Sequence, residues 1–173
     1  MAISVLQLSK VAEQEVAKLL VVGSDGLLDV GHPQPDDAGF DLEVFERWAF
    51  GGRLLLQVRC VRRLHPHARS RRLMCGLKTK EATGNCSWYF IGHFDCALMK
   101  FTNPVFLMPA WTLQAMSRKS AAKPRRTRLH ASMEPSSRDR FAPYRLNTHE
   151  VGKRVLYIVR SLRDPGEFLP AAA

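Results

Sequence analysis

Asp41, Glu43, Gln57 and Arg59 are the side chains with the most chemistry to offer. Two are carboxylates, one is a neutral amide and one is a permanent cation. Residues of like parity share one face of a β-strand, so Asp41 and Glu43 project together if 40–46 is extended. Gln57 and Arg59 do the same on a run from 53 to 60, where Leu54, Leu56, Val58 and Cys60 take the opposite face. Gly51 and Gly52 separate the two runs, and glycine reaches the positive-φ conformations of a hairpin connection at little cost. The span from Arg47 to Arg53 makes that connection longer than the tightest turns. In the matching register Asp41 and Glu43 face Gln57 and Arg59 across neighbouring antiparallel strands. Oxygen ligands beside a fixed cation suit a hard divalent metal and a phosphate.

Other elements must hold that hairpin. Val5, Leu8, Ala12, Val16, Leu19 and Leu20 recur at helical spacing and predict a helix over 5–22, with Gly23 as its stop. Glu13 falls on or near its packed side. Taken alone it reads as a solvated helix glutamate paired with Lys10 or Lys18. Leu27 to Val30 reads as a short strand, and His32 to Asp37 as a proline and Asx loop with Asp36 and Asp37 on the surface. Three apolar segments between Trp88 and Ala110 predict strands that complete a sheet, Trp111 to Met116 a short helix, and Arg128 to Met133 another strand. Thr148 reads as the cap of a C-terminal helix near 149–162, built on Val151, Val155, Leu156, Val159 and Leu162.

The stretch GFDLEVFERWAFGGRLLLQVRC resembles the core of the PD-(D/E)XK nuclease superfamily, the restriction-endonuclease-like fold. That family places Asp at the head of one strand, often as Gly-x-Asp. The next strand carries Glu or Gln, an apolar residue and then Lys. Gly39, Phe40 and Asp41 match the first part, and Gln57, Val58 and Arg59 the second, with Arg59 standing where the family has lysine. Many members add a glutamate from a preceding helix, and Glu13 occupies that place. The resemblance covers the first third of the chain in detail. It implies an α/β three-layer fold with a mixed central sheet flanked by helices, and a DNA endonuclease dependent on Mg²⁺ or Mn²⁺. The metal ligands it implies are Asp41, Gln57 and Glu13, joined by Glu43, with Arg59 in the catalytic set. Relatives of this fold often act as homodimers. Arginine effectively never loses its proton, so Arg59 can hold a phosphate but cannot serve as a general base. A weak or inactive nucleic-acid-binding protein on the same fold is the alternative.

Charge points the same way. Residues 1–58 carry nine acidic and four basic side chains, whereas 59–173 carry 22 basic and seven acidic, within a net charge of +10. Arg59 to Lys80 contains eight Lys or Arg and no acid. Two basic loops are expected, near 61–72 and 117–128. Arg62, Arg63, Arg69, Arg71 and Arg72 are the candidates for contact with DNA phosphates, which arginine engages through a planar fork of donors.

At 173 residues, with 46% apolar and 24% charged side chains, the chain reads as one globular domain. No apolar run approaches the ~20 residues of a membrane span, and the start lacks the pattern of a signal peptide. Cys75, Cys86, His93 and Cys96 do not have the paired close spacing of structural zinc sites, so buried free cysteines are expected. Reduced thiols without a secretion signal suggest an intracellular, cytoplasmic protein. No phosphate-binding glycine loop of the nucleotide-binding types and no Ser-centred nucleophile elbow is present.

Overall fold

The computed structural model describes residues 4–33, 39–67, 70–78, 85–116 and 126–164. The first helix, α1 (Val5–Gly23), begins at a reciprocal cap. Ser4 Oγ accepts from the Gln7 amide at 3.2 Å, and Gln7 Oε1 accepts from the Ser4 amide at 2.9 Å. Two of the orphan donors at its start are thereby satisfied. Leu8, Ala12, Val16 and Leu20, four residues apart, form its buried stripe.

Strands β1 (Leu28–Gly31), β2 (Leu42–Glu46) and β3 (Arg53–Val61) follow as an antiparallel meander. Leu42 pairs with Leu56 and Val44 with Leu54, so the alternating apolar residues of both strands face α1. The β2–β3 connection turns through Trp48, Gly51 and Gly52, all at positive φ. Gly52 is required by proximity as well: a Cβ there would lie 2.6 Å from the Val159 carbonyl oxygen.

Next come β4 (His65–His67), β5 (Ser70–Lys78), β6 (Ser87–Asp95), β7 (Lys100–Phe101), β8 (Val105–Pro109), α2 (Ala110–Met116), β9 (Arg126–Ser132), β10 (Arg145–Leu146) and α3 (Val151–Arg163). Among the described residues the main sheet runs β1-β2-β3-β6-β8-β10, with β7 paired to the end of β6. Only the β3–β6 pair is parallel, which makes the sheet mixed. Helices α1 and α3 cover one face over Leu54, Leu56, Val58, Phe90, Phe94, Val105 and Leu107. They touch where Gly23 meets Gly152, and a Cβ on Gly152 would lie 2.3 Å from the Gly23 carbonyl carbon. A second sheet, β4-β5-β9, packs with α2 on the other face through Leu73, Cys75, Leu77, Leu129, Tyr89, Ile91, Phe106 and Met108. Each fully buried side chain of this size contributes roughly 1.5–3 kcal/mol. The expected α/β architecture, a mixed central sheet flanked by helices, is the one observed.

Three expectations are corrected. The basic loop near 61–72 is mostly strand: β3 runs to Val61, a bend holds Arg62 and Arg63, and β4 and β5 follow. Leu73, Cys75 and Leu77 alternate with Arg72, Met74 and Gly76, so one face is buried while the other is half-buried or exposed. The turn before α3 is capped one residue earlier than expected, at Asn147, whose amide donates to Glu150 Oε2 at 2.7 Å. Thr148 instead donates its amide to Asn103 Oδ1. All four cysteines are free, but only Cys75 is buried, and Cys96 is exposed. Of the second expected basic loop, 126–128 belongs to β9 and 117–125 lies outside the described residues, as do Asp36, Asp37 and Arg69. No helix among the described residues is long and apolar enough to cross a membrane.

Candidate active site

Asp41 sits one residue before β2, just after Gly39, whose φ of 117° turns the chain into the strand. Its amide donates to the Leu56 carbonyl at 3.0 Å, which continues the ladder. Its carboxylate then does what a strand partner would do. Asp41 Oδ2 accepts the Val58 amide of β3 at 2.7 Å. A ladder amide lies in the plane of the sheet, so the carboxylate is held at the sheet's own level, within reach of both faces.

Continuing the Leu42–Leu56 register by one residue sets Gln57 opposite Asp41. Gln57 is buried, and its side-chain amide nitrogen donates to the Gly39 carbonyl. With the nitrogen committed, its carbonyl oxygen is the atom left for a cation. Arg59 Nη1 stands 3.8 Å from Asp41 Oδ2 and donates to the Val58 carbonyl at 3.1 Å. Its positive charge also reaches Tyr89 and Cys75. Burial pushes the Cys75 thiol up to about 11, so it is inert as a nucleophile.

Helix α1 carries Glu13 close enough for its charge to reach Asp41. The Glu13 side chain is buried, 2.7 Å from Lys10 Nζ and 3.5 Å from Ser9 Oγ. Beside it opens a cavity of about 270 Å³, bordered by Lys10, Glu13, Val30, His32 and Leu42. Glu43 lies two residues along β2 from Asp41 and pairs with Arg53 Nη1 at 3.2 Å. The structure thus sets Arg59 beside Asp41, brings the charges of Glu13 and Lys10 within reach of Asp41, ties Gln57 to the Gly39 carbonyl, and leaves Glu43 with Arg53. Lys10 belongs to the constellation although its sequence signal was only a lysine three residues before a glutamate. Tyr89, aligned with Gln57 on β6, had no signal beyond lying in an apolar run. Arg62, Arg63 and Arg71 are exposed and Arg72 is half-buried.

The electrostatics of Asp41 bear on whether a cation fits. Burial holds its carboxyl above the ordinary carboxylate value, and the Glu13 charge adds to that rise. The Val58 amide, Arg59 and Lys10 oppose it without cancelling it. No hydrogen bond reaches the other Asp41 oxygen from the described residues. A carboxylate left short of positive charge, beside a second carboxylate and an amide oxygen, fits a hard cation that keeps several waters. Among the described residues no three His, Cys, Asp or Glu side chains cluster as a metal site.

No family model matches the chain, and no curated protein matches it by sequence. Among solved structures, the fold is similar to that of I-Ssp6803I, a bacterial homing endonuclease. The TM-score is 0.50 at 16% identity, over 91% of this chain and 95% of that one. At this identity the likeness speaks for a nuclease-like fold.

Proposed function

We propose that the chain is a metal-dependent DNA endonuclease of the PD-(D/E)XK type, hydrolysing phosphodiester bonds with Mg²⁺ or Mn²⁺. The observation that carries this reading is Asp41 at the start of β2, bonded to the Val58 amide of β3 and 3.8 Å from Arg59, with the charge of Glu13 on α1 reaching it. The endonuclease with a similar fold supports it. Asp41 and Glu13 would hold the ion, with the Gln57 carbonyl as a neutral third ligand. The bound ion supplies an acidified water and charge neutralisation at the phosphate. Arg59 stays protonated throughout, so its part is to grip the scissile phosphate and stabilise the charge that builds there. Lys10 holds Glu13 in place through their 2.7 Å contact. The exposed Arg62, Arg63 and Arg71 contact backbone phosphates without reading sequence.

A second reading, binding without turnover, is favoured by two observations. Arginine stands where the family has lysine, and no three His, Cys, Asp or Glu side chains cluster among the described residues. Nicking of plasmid DNA with Mg²⁺ and with Mn²⁺ separates the two. The endonuclease reading expects cleavage by wild type and none by Asp41→Ala. Equal cleavage by both proteins dismisses this centre. Absence of cleavage by wild type with either ion, alongside salt-sensitive DNA binding, installs the binding-only reading.

A further inference from the structure

At the end of the second sheet, where β9 leaves into the turn 133–139, a pocket of about 290 Å³ lies apart from the Asp41 centre. Arg72, His130, Ser136 and Ser137 border it, with Glu134 and Asp139. Arg72 pairs with Ser132 in the strand register, and Met74 with His130, so Arg72 and His130 share one face of neighbouring strands.

The walls are built around a second arginine. Arg145 Nη1 donates to the carbonyls of Ser137 at 2.9 Å and Pro135 at 3.4 Å. Its Nη2 donates to the Ser132 carbonyl at 3.2 Å and to Asp139 Oδ1 at 3.3 Å. One guanidinium therefore fixes the turn at four points. Asp139 is fully occupied: Oδ2 accepts the Ser132 amide at 2.7 Å and Oδ1 accepts the Phe141 amide at 3.0 Å, with Arg145 as its counter-charge. Glu134 is exposed and solvated at the rim.

Arg72 and Arg145 both keep a buried Nε without a hydrogen-bond partner, but Arg145 bonds through its other two nitrogens, whereas the Arg72 side chain makes no hydrogen bond or ion pair among the described residues. A desolvated charged donor left unmade is costly, and native proteins rarely keep one without a use. The missing acceptor must be anionic, small and rich in oxygen, because the donors around it are a planar fork and two serine hydroxyls.

We propose that this pocket is a phosphate seat, with Arg72 as its principal donor and Ser136 and Ser137 as its hydroxyl donors. The phosphate comes from a DNA backbone or from free phosphate, and only the first source rests on the proposed DNA-binding function. A phosphate held here anchors duplex at a point separate from Asp41.

Two titrations test it on the full chain. Phosphorus line broadening of inorganic phosphate is measured with wild type, Arg72→Gln and Ser136→Asp. Fluorescence anisotropy follows unrelated duplexes across a range of NaCl concentrations. Wild type should broaden the phosphate signal and both variants should not. Ser136→Asp adds a repelling carboxylate on an exposed turn and leaves Arg72 and the sheet intact, so loss of binding there is not misfolding. If DNA is the source, Arg72→Gln weakens all duplexes on the order of tenfold and flattens the salt slope by ~0.9. If phosphate binding is lost in the variants while duplex binding is unchanged, the seat stands with free phosphate as its ligand. Equal broadening by wild type and both variants, or no broadening by any of them, overturns the proposal. Plasmid nicking by the same proteins keeps this result separate from the endonuclease reading.

Discussion

Asp41→Asn should raise the thermal stability of the metal-free protein at neutral pH and remove its response to divalent ions. Asparagine has nearly the same shape, and its carbonyl oxygen can still accept the Val58 amide at the 2.7 Å position. What changes is the charge. Losing the attraction to Arg59 at 3.8 Å costs about 1 kcal/mol with water-like screening and about 4 kcal/mol at an effective dielectric of ~20. Opposing that loss, burial and the neighbouring Glu13 no longer have an ionised carboxylate to penalise. Burial is the largest influence on this group and leaves its carboxyl titrating above the ordinary 3.8, so the balance favours the neutral side chain. The gain has a pH window. Above its folded value the wild type carries a charge that the fold disfavours. Below 3.8 the carboxyl is neutral in folded and unfolded chains alike, and the advantage disappears. Metal reverses the ranking. An ion at a hundred times its Kd stabilises wild type by about 2.7 kcal/mol, which for a chain of this length moves Tm by roughly 5–11 °C. Melting curves of both proteins, with and without Mn²⁺ and at several pH values, should therefore cross. A variant that melts lower than wild type at pH 7 without metal would refute the electrostatic reasoning. An equal shift by Mn²⁺ in both proteins would refute the ligand assignment.

Arg59→Lys restores the superfamily pattern and should increase divalent-dependent nicking, within the ~10²–10⁴-fold range of acid–base contributions. If wild type cuts efficiently and this variant cuts less, arginine is the working residue. Replacing Arg62, Arg63 and Arg71 together by glutamine should weaken binding to unrelated duplexes alike and flatten its salt dependence by up to ~0.9 for each phosphate no longer neutralised. An unchanged slope removes those arginines from the interface. Gly52→Ala should lower stability by at least ~2 kcal/mol, because a left-handed non-glycine residue costs roughly 1–2 kcal/mol and its Cβ meets the Val159 carbonyl at 2.6 Å. Urea unfolding at the wild-type midpoint would show that the hairpin does not press on α3.

The hairpin was legible because two period-two runs flank a glycine pair, and parity put Asp41, Glu43, Gln57 and Arg59 on one face, although the register sets Glu43 opposite Leu55. Helix α1 was legible from the four-residue spacing of Leu8, Ala12, Val16 and Leu20. Strand β5 was hidden by its own arginines. The alternation of Leu73, Cys75 and Leu77 was present, but basic residues at and between the polar positions read as a loop. Its partner β9 lies about fifty residues further on, and nothing local announces that pairing. Two properties of the centre escaped for a related reason. That Asp41 serves as the acceptor for a ladder amide depends on where β2 begins, and strand ends are the least readable part of a pattern. That the charges of Glu13 and Lys10 reach Asp41 depends on how α1 lies over the sheet, which single-sequence spacing does not set.

The pairing map also orders events during folding. Strands β2 and β3 are joined by six residues, so the Asp41–Gln57 pairing closes a short loop, an event of microseconds. The sheet that covers the opposite face closes a loop many times longer, since β5 must find β9 across the strands and helix between them. Loop-closure entropy grows with that separation and is met before the pairing rewards it. Until then Tyr89, Ile91, Phe106 and Met108 stand uncovered beside the unpaired edge of β5. This is the interval in which newly made chains are most prone to stick to one another. A cell producing the protein in quantity meets its greatest difficulty in assembling the outer sheet, with the residues of the proposed chemistry already in register.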